Sequence, residues 1–235
     1  TQGLFRSRDG KTWGAASGAL SATLVRPIVS DPRQPDRVFA VTAQGIARST
    51  DGGATWTSVP NQPSEMPVLS LAFGERNALY AGTVRGVVRT GDEGATWQPL
   101  NNGLVSTSVH SLLFIPGNPQ TLLAAMRFGL ALSQDHGGTW KDARGLADPY
   151  ILSLVVDPSN PPLVYAGTWG SSVFISKDGG ENFTRLTENL AKNAPISSLA
   201  VLHPTANTTV LYAGTLGNGL FKSTDGGQKW TAQSE

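Results

Sequence analysis

The segment Ser49-Thr-Asp-Gly-Gly-Ala-Thr-Trp56 decides the fold, because variants of it occur six times along the chain. The other five copies are Ser7-Arg-Asp-Gly-Lys-Thr-Trp13, Thr90-Gly-Asp-Glu-Gly-Ala-Thr-Trp97, Ser133-Gln-Asp-His-Gly-Gly-Thr-Trp140, Ser176-Lys-Asp-Gly-Gly-Glu-Asn-Phe183 and Ser223-Thr-Asp-Gly-Gly-Gln-Lys-Trp230. Their aspartates are Asp9, Asp51, Asp92, Asp135, Asp178 and Asp225, at steps of 42, 41, 43, 43 and 47 residues. A constant period of this length indicates one structural unit used repeatedly.

Three short apolar stretches precede each later copy in a constant order. In the last repeat they are Ile196-Ser-Ser-Leu-Ala-Val, Leu211-Tyr-Ala-Gly-Thr and Gly219-Leu-Phe-Lys, and Trp230 opens a fourth. Stretches of this length, rich in β-branched and aromatic residues and bounded by Gly, Pro, Asn or Asp, are typical of strands. Four strands per period of about 40 residues is the pattern of a propeller blade. No segment has a sustained helical period, so almost no helix is expected.

The repeat count predicts an all-β single domain over residues 1–235 that is a β-propeller of four-stranded antiparallel blades. With strands named A to D from the axis outward, residues 20–60, 61–100, 101–142, 143–188 and 189–235 each supply four strands. Residues 1–19 supply only strands C and D, which gives five complete blades plus an N-terminal half blade on a six-blade pitch. An incomplete blade leaves a strand edge vacant, so self-association or an added hairpin is expected there.

Composition excludes several function classes. The 235 residues carry 18 basic and 17 acidic side chains and no Cys, for a net charge of +1. So balanced a charge disfavours nucleic acid as a partner, and the lack of Cys excludes disulfides and thiolate chemistry. No apolar run approaches the ~20 residues that cross a bilayer. The three histidines are not grouped as metal ligands, and no motif for a cofactor is found.

The repeated segment resembles the Asp-box, or bacterial neuraminidase repeat, across essentially the whole chain. In that family the box is the turn between strands C and D of a propeller blade. The chemistry suits a turn, since Asp accepts backbone N–H groups and Gly adopts positive φ. The first box is one residue short, and Asn182-Phe183 replaces Thr-Trp in the fifth. Because the aspartates are spread one to a blade, we interpret all six as scaffold: loss of one, as in Asp51→Ala, should cost stability by opening a buried turn.

A binding site is expected on the opposite face, formed by the B–C and D–A loops, because loops on a rigid scaffold usually carry function. At the B–C loops the repeats show Gln44, Arg85, Arg127 with Phe128, Trp169 and Asn218. At the head of strand A they show Arg26, Leu69, His110, Leu152 and Ser197, and Tyr150 lies at the same rim. Trp169 is either a ligand platform or a residue packed on a neighbouring blade. Several Arg and aromatic residues together suit an acidic or glycan-like partner.

The Asp-box occurs in sialidases, xyloglucan hydrolases, sortilin-type receptors and photosystem II assembly factors, so the fold alone does not decide the activity. The string Val25-Arg26-Pro27-Ile28 has the wrong order for the sialidase arginine motif, and the D–A loops hold few carboxylates, among them Glu65, Asp148 and Glu188. No catalytic residue is therefore predicted. The favoured function is a non-enzymatic scaffold for a protein or glycan partner; the alternative is a glycoside hydrolase, or an inactive remnant or fragment of one.

Overall fold

The computed structural model describes residues 3–18, 20, 25–62, 67–75, 77–147, 150–186, 190, 194–205 and 208–233. The chain forms two compact units, Thr1–Leu100 and Asn101–Glu235, each with its own sheets and core. All regular structure in the described ranges is β-strand, which confirms the predicted all-β class. No helix with the length and apolar character to cross a bilayer occurs in these ranges.

The first unit contains an N-terminal hairpin and two larger sheets. Its strands are β1 Phe5–Arg6, β2 Gly14–Ala15, β3 Ser17–Gly18, β4 Val25–Asp31, β5 Gln34–Thr42, β6 Gly45–Ser49, β7 Thr55–Ser58, β8 Val68–Phe73, β9 Leu79–Thr83, β10 Gly86–Thr90 and β11 Gln98–Pro99. Strands β1 and β2 form the hairpin, β4 to β7 pair in sequence order, and so do β8 to β11. The hairpin is the predicted half blade, and the two sheets are the first two complete blades.

The second unit contains three four-stranded antiparallel sheets. Its strands are β12 Val109–Ile115, β13 Asn118–Met126, β14 Gly129–Ser133, β15 Lys141–Asp142, β16 Ile151–Val156, β17 Val164–Thr168, β18 Val173–Ser176, β19 Phe183–Arg185, β20 Ile196–Thr205, β21 Thr208–Thr215, β22 Leu220–Ser223 and β23 Thr231–Gln233. Each group of four consecutive strands pairs in sequence order, as propeller blades do. First strands of adjacent sheets contact each other, β12 with β16 and β16 with β20, which is the packing expected of innermost strands.

Each core lies between two adjacent sheets, because every blade is apolar on both faces. In the second unit Leu123, Leu130 and Phe174 are buried in one cluster, and Tyr165 and Phe221 are buried in the next. Strands B and C carry most of these side chains; β9 and β17 are buried at every position. This explains why the strings Leu79-Tyr-Ala-Gly-Thr and Val164-Tyr-Ala-Gly-Thr are apolar throughout rather than alternating.

Every strand A begins with a β-bulge, a feature that the sequence pattern does not predict. The pairing register of strand A with strand B shifts at the same place in all five complete blades, for example between Val109 and Ser111 and between Ile151 and Ser153. The residues at this shift are Leu69, His110, Leu152 and Ser197 in four blades, and Arg26 together with Pro27 in the first. The five positions that the sequence aligned at the head of strand A are therefore structurally equivalent, and a bulge directs such a side chain away from the regular ladder.

The prediction that residues 1–19 supply only two strands was wrong in one respect. Ser17–Gly18 form the additional strand β3, which pairs parallel with β7, with Gly18 opposite Trp56. The physical reason is that the chain leaves β2 along the open outer edge of the next sheet, where its backbone groups find partners. The sheet that contains β4 to β7 consequently has five strands.

A buried arginine connects the two complete sheets of the first unit. Asp31 and Arg37 are both buried and form a salt bridge, and the Arg37 guanidinium also contacts Glu93 at 3.4 Å and Asn77 at 3.2 Å. Its Nε atom is buried without a partner among the described residues. Arg48 forms a second ion pair with Glu93. The charge of Arg37 is thus balanced mainly by the Asp31 carboxylate.

We predict that Asp31→Ala strongly destabilises the protein, because it leaves the buried Arg37 charge uncompensated. The expected loss in free energy of unfolding is about 3–5 kcal/mol. Asp36→Ala, which removes a nearby exposed carboxylate, is the matched control and should change stability by less than about 0.5 kcal/mol. Urea unfolding of the two variants makes the comparison, and equal midpoints would contradict the importance of the pair.

Candidate functional site

Each repeated box is a turn closed on itself by two side chains. In the second box the Ser49 hydroxyl donates to the Asp51 carboxylate at 2.7 Å and accepts the N–H of Gly53 at 2.9 Å. The Asp51 carboxylate also accepts the backbone N–H of Thr55 at 2.9 Å and its hydroxyl at 2.6 Å. The acceptor capacity of the carboxylate is directed into its own turn.

The bond from the glycine N–H to the hydroxyl and the bonds from backbone N–H groups to the aspartate recur in all six boxes, including the two that depart from the pattern. In the sixth box Lys229 replaces Thr, so the aspartate accepts its N–H at 2.9 Å but no hydroxyl. The distance from the first hydroxyl to the Gly N–H is 2.8–2.9 Å throughout. In the short first box Thr12 takes the role one position early, donating its N–H and hydroxyl to Asp9 at 2.8 and 2.7 Å. In the fifth box the Asn182 amide donates to Asp178 at 2.8 Å in place of a Thr hydroxyl. The scaffold role predicted for the boxes agrees with this geometry.

The expectation that the aspartate lies in a buried turn was wrong, because burial falls on the hydroxyl residue instead. Ser49, Thr90, Ser133, Ser176 and Ser223 are all buried, whereas the box aspartates are exposed. Hydrogen bonds keep the aspartates charged: the hydroxyl and then the N–H of Thr96, followed by the Thr90 hydroxyl, lower the pKa of Asp92 to about 2. A carboxylate already satisfied by its own turn is poorly suited to proton transfer.

On the other face, the second unit brings three predicted residues together. The rings of Tyr150 and Trp169 are stacked, with centroids 5.7 Å apart and planes inclined by 14°. His110 contacts Tyr150 as well, with ring centroids 5.9 Å apart. We call His110, Tyr150 and Trp169 the aromatic ledge.

Backbone bonding fixes the ledge to the sheet. Tyr150 immediately precedes β16 and Trp169 immediately follows its partner β17, and the Trp169 N–H donates to the Tyr150 carbonyl at 2.9 Å. Trp169 therefore contacts a residue of its own blade, and whether it also serves as a ligand platform stays a prediction. Its side chain is 52% exposed although it is stacked, so one aromatic surface remains open to solvent.

A positive charge and a further exposed ring accompany the ledge. Arg127 follows β13, the strand paired with the His110 strand, and its guanidinium lies 5.5 Å from the centre of the Phe128 ring, which is 67% exposed. Burial, and secondarily the charge of Arg127, lower the pKa of His110. The imidazole is therefore held neutral, and its Nε2 atom is buried without a hydrogen-bond partner in the described part of the chain.

The remaining predicted residues do not join the ledge in the contacts that the structure describes. Asn218 is exposed on the turn between β21 and β22. Arg26, Gln44 and Arg85 belong to the first unit, where all three are exposed, and their assignment to one common surface stays a prediction. Glu65, Asp148 and Glu188 lie outside the described residues.

Strand register also corrects the alignment of the B–C loops. The residue directly after strand B is Val84, Trp169 or Leu216 in three blades, and its N–H in each case donates to the residue before strand A, Pro67, Tyr150 or Pro195. Gln44 and Arg85 lie one position later in their loops. Tyr150 could have been paired with Trp169 from the sequence, because both flank the same strand pair.

Comparisons with known proteins agree with this fold. The family model described as sortilin, neurotensin receptor 3, matches residues 129–235. An ancestral GH74 enzyme is similar over 98% of this chain and 36% of its own, with a TM-score of 0.76 and 19% identity. The GH74 xyloglucanase from Xanthomonas campestris is similar over 88% of this chain and 32% of its own, with a TM-score of 0.67 and 22% identity. The chain thus spans about a third of these two structures.

A shorter solved structure is also similar. YCF48 bound to a D1 peptide matches 97% of this chain and 73% of its own, with a TM-score of 0.67 and 22% identity. The chain resembles the Asp-box propellers. Comparison with curated protein sequences gives no match. At these identities the structural likeness supports the fold, and the families are those that the boxes predicted.

We predict that Ser49→Ala destabilises the protein, because it leaves the buried Gly53 N–H without an acceptor. The expected cost is about 1–3 kcal/mol. Asp51→Ala should cost less, since the N–H groups that it frees are close to water. Ser58→Ala, an exposed serine in β7, is the matched control. Thermal unfolding of the three variants tests this order, and a Ser49→Ala protein as stable as Ser58→Ala would refute it.

We also predict that Arg127→Ala raises the pKa of His110 but leaves it below the usual histidine value, because burial is the larger cause of its depression. A histidine with a depressed pKa stabilises the fold most when neutral, so the wild type loses this contribution as pH falls below about 6.5. NMR titration of the His110 ring protons measures the change. Arg144→Ala, which removes an exposed arginine of the same unit, is the control, and an unchanged His110 pKa in Arg127→Ala would contradict the electrostatic contact.

Proposed function

We propose that this chain is a non-enzymatic binding propeller and that the aromatic ledge, with Arg127, is a contact site for its partner. The observation that carries the proposal is the half-exposed Trp169 ring stacked on Tyr150 and tied to it by a backbone hydrogen bond. A large apolar surface that is already immobilised loses little conformational entropy on binding. Trp, Tyr and Arg are also the residues that most often anchor interfaces.

The chemistry of the ledge favours a partner with an apolar or flat face beside an acidic group. Stacking on Trp169 suits the flat face, and Arg127 suits the negative charge. His110 beside Tyr150 is neutral and so adds no competing positive charge. Acidic peptides and acidic glycans share these features. Peptide binding has a precedent on this fold, since YCF48 was solved with a D1 peptide.

A glycoside hydrolase is the second candidate, supported by the likeness to GH74 structures. Such an enzyme needs two carboxyl groups about 5–9.5 Å apart across the scissile bond. The loops that follow strand B in the five complete blades contain no Asp or Glu. The box carboxylates are occupied by their own turns. Assays on xyloglucan and chromogenic sialosides test this alternative, and turnover above that of heat-denatured protein would establish it.

The test of the binding proposal uses Trp169→Ala with Leu216→Ala as its matched control. Leu216 occupies the equivalent loop position of the next blade, with the same kind of backbone bond and a side chain 50% exposed. Screening arrays of acidic peptides and acidic glycans identifies a ligand, and titration calorimetry then measures each variant. Trp169→Ala should weaken binding by about 2 kcal/mol or more and leave the melting temperature nearly unchanged.

Arg127→Ala should weaken binding more at low than at high salt, because counterions screen an exposed charge. Loss of thermal stability in Trp169→Ala with full affinity would show that Trp169 is only a packing residue. Equal effects of Trp169→Ala and Leu216→Ala would place the contact elsewhere on the loop face.

A further inference from the structure

The segment that leaves strand D of a blade repeatedly pairs with strand D of the following blade. In the first unit β3 runs parallel to β7. In the second unit the Trp140 N–H donates to the Asn102 carbonyl at 2.9 Å, and the Phe183 N–H donates to the Arg144 carbonyl at 2.8 Å. In both, the outer strand gains backbone hydrogen bonds from a segment outside its own blade.

Two adjacent residues, Gly and Leu, define this contact in two of the three sheets of the second unit. A Cβ atom on Gly103 would lie 2.4 Å from the Trp140 carbonyl oxygen, and one on Gly145 would lie 2.0 Å from that of Phe183. No other residue fits so close to the backbone. Leu104 and Leu146 follow these glycines, and Leu146 packs against the core cluster that contains Phe183. We call these the Gly-Leu segments.

The aromatic residue that opens strand D is covered where such a segment is present. Trp140 and Phe183 are buried. Trp56 is also buried, at 3% exposure, in a cluster with Leu20, which follows β3. The aromatic residue is therefore buried by a segment that pairs with the strand backbone and contributes a leucine side chain to the surrounding core.

Trp13, the corresponding residue of the N-terminal hairpin, is 63% exposed. Among the described strands β2 pairs only with β1, and both Gly14 and Ala15 are exposed. The Ala16 N–H donates to Leu4 on the β1 side, so the N–H groups of Trp13 and Ala15 face the other edge, by the alternation of antiparallel strands. The Trp13 N–H corresponds to the donor that Trp140 and Phe183 each use toward their Gly-Leu segments.

We propose that Trp13 and the outer edge of β2 form a docking site for one extended Gly-Leu segment of a partner polypeptide, which runs parallel to β2. Its carbonyl accepts the Trp13 N–H, its glycine approaches the Trp13 carbonyl, and its leucine lies against the indole ring. The occupant is specified by the buried copies of the same contact within this chain. The site is separate from the aromatic ledge and does not depend on the function proposed for it.

A labelled peptide with the sequence of residues 99–107, Pro-Leu-Asn-Asn-Gly-Leu-Val-Ser-Thr, is the probe. Fluorescence anisotropy should show saturable binding to the wild-type chain and at least tenfold weaker binding to Trp13→Ala. Ala15→Pro, which removes an outward N–H at a strand edge, should also lose binding. The matched control peptide carries Val in place of its Gly and should not bind. Trp169→Ala protein should bind the peptide normally, which distinguishes this site from the ledge.

Three results would overturn the proposal. Equal binding of the Gly and Val peptides would show that the peptide backbone does not approach the Trp13 carbonyl closely enough to require glycine. Unchanged peptide binding by both Trp13→Ala and Ala15→Pro would place the peptide on another edge. A dimer in light scattering that Trp13→Ala abolishes and the peptide does not compete with would make a second copy the occupant. Circular dichroism of both variants confirms that they are folded before binding is compared.

Discussion

The hydroxyl that opens each box, buried in all but the first, makes the interaction on which the rest of the structure depends. It accepts the N–H of a glycine that the turn would otherwise bury unpaired, and it donates to the aspartate that holds the following residues. This bond fixes the C–D hairpin, and the hairpin in turn sets where the aromatic residue of strand D enters the core. Without it, the outer half of each blade would have neither its turn nor its anchor. Because the same turn occurs six times, each hairpin is stabilised by residues of its own repeat and not by contacts between distant parts of the chain.

The box turns at one end of the strands are nearly identical, whereas the loops at the other end differ in sequence from blade to blade. The boxes satisfy their own polar groups and leave little chemistry for a partner. The opposite loops are held by backbone bonds that do not depend on the side chain, as the N–H groups of Val84, Trp169 and Leu216 show. A valine, a tryptophan and a leucine occupy the same backbone position at no cost to the ladder. The aromatic ledge forms where this loop position is occupied by tryptophan.

The sequence predicted the features that depend on local pattern. The period of the boxes and the apolar strings were sufficient for the strand order, the half blade and the equivalence of residues such as His110 and Arg26, because each is specified within one repeat. The ring stacking of Tyr150 and Trp169 was missed, since flanking the same strand pair places the two residues side by side but does not specify the direction of their side chains. Strand β3 was missed for another reason: two residues that pair parallel with a neighbour have no period of their own. Glu93 takes positive φ where most boxes have Gly, and its ion pairs with Arg37 and Arg48 are likewise visible only in three dimensions.

At the bulge that begins strand A, a residue does not have to satisfy strand pairing and packing on a sheet face at the same time. A residue inside the ladder has to suit both the pairing and the face that it covers, whereas the extra residue of a bulge lies outside the regular pairing. Arginine, leucine, histidine and serine all occur at this position in the present chain. Each blade therefore carries one site at which the residue can change without altering the strand pairing. A lineage of such repeats could acquire a new surface one residue at a time while its ladders of backbone hydrogen bonds are kept.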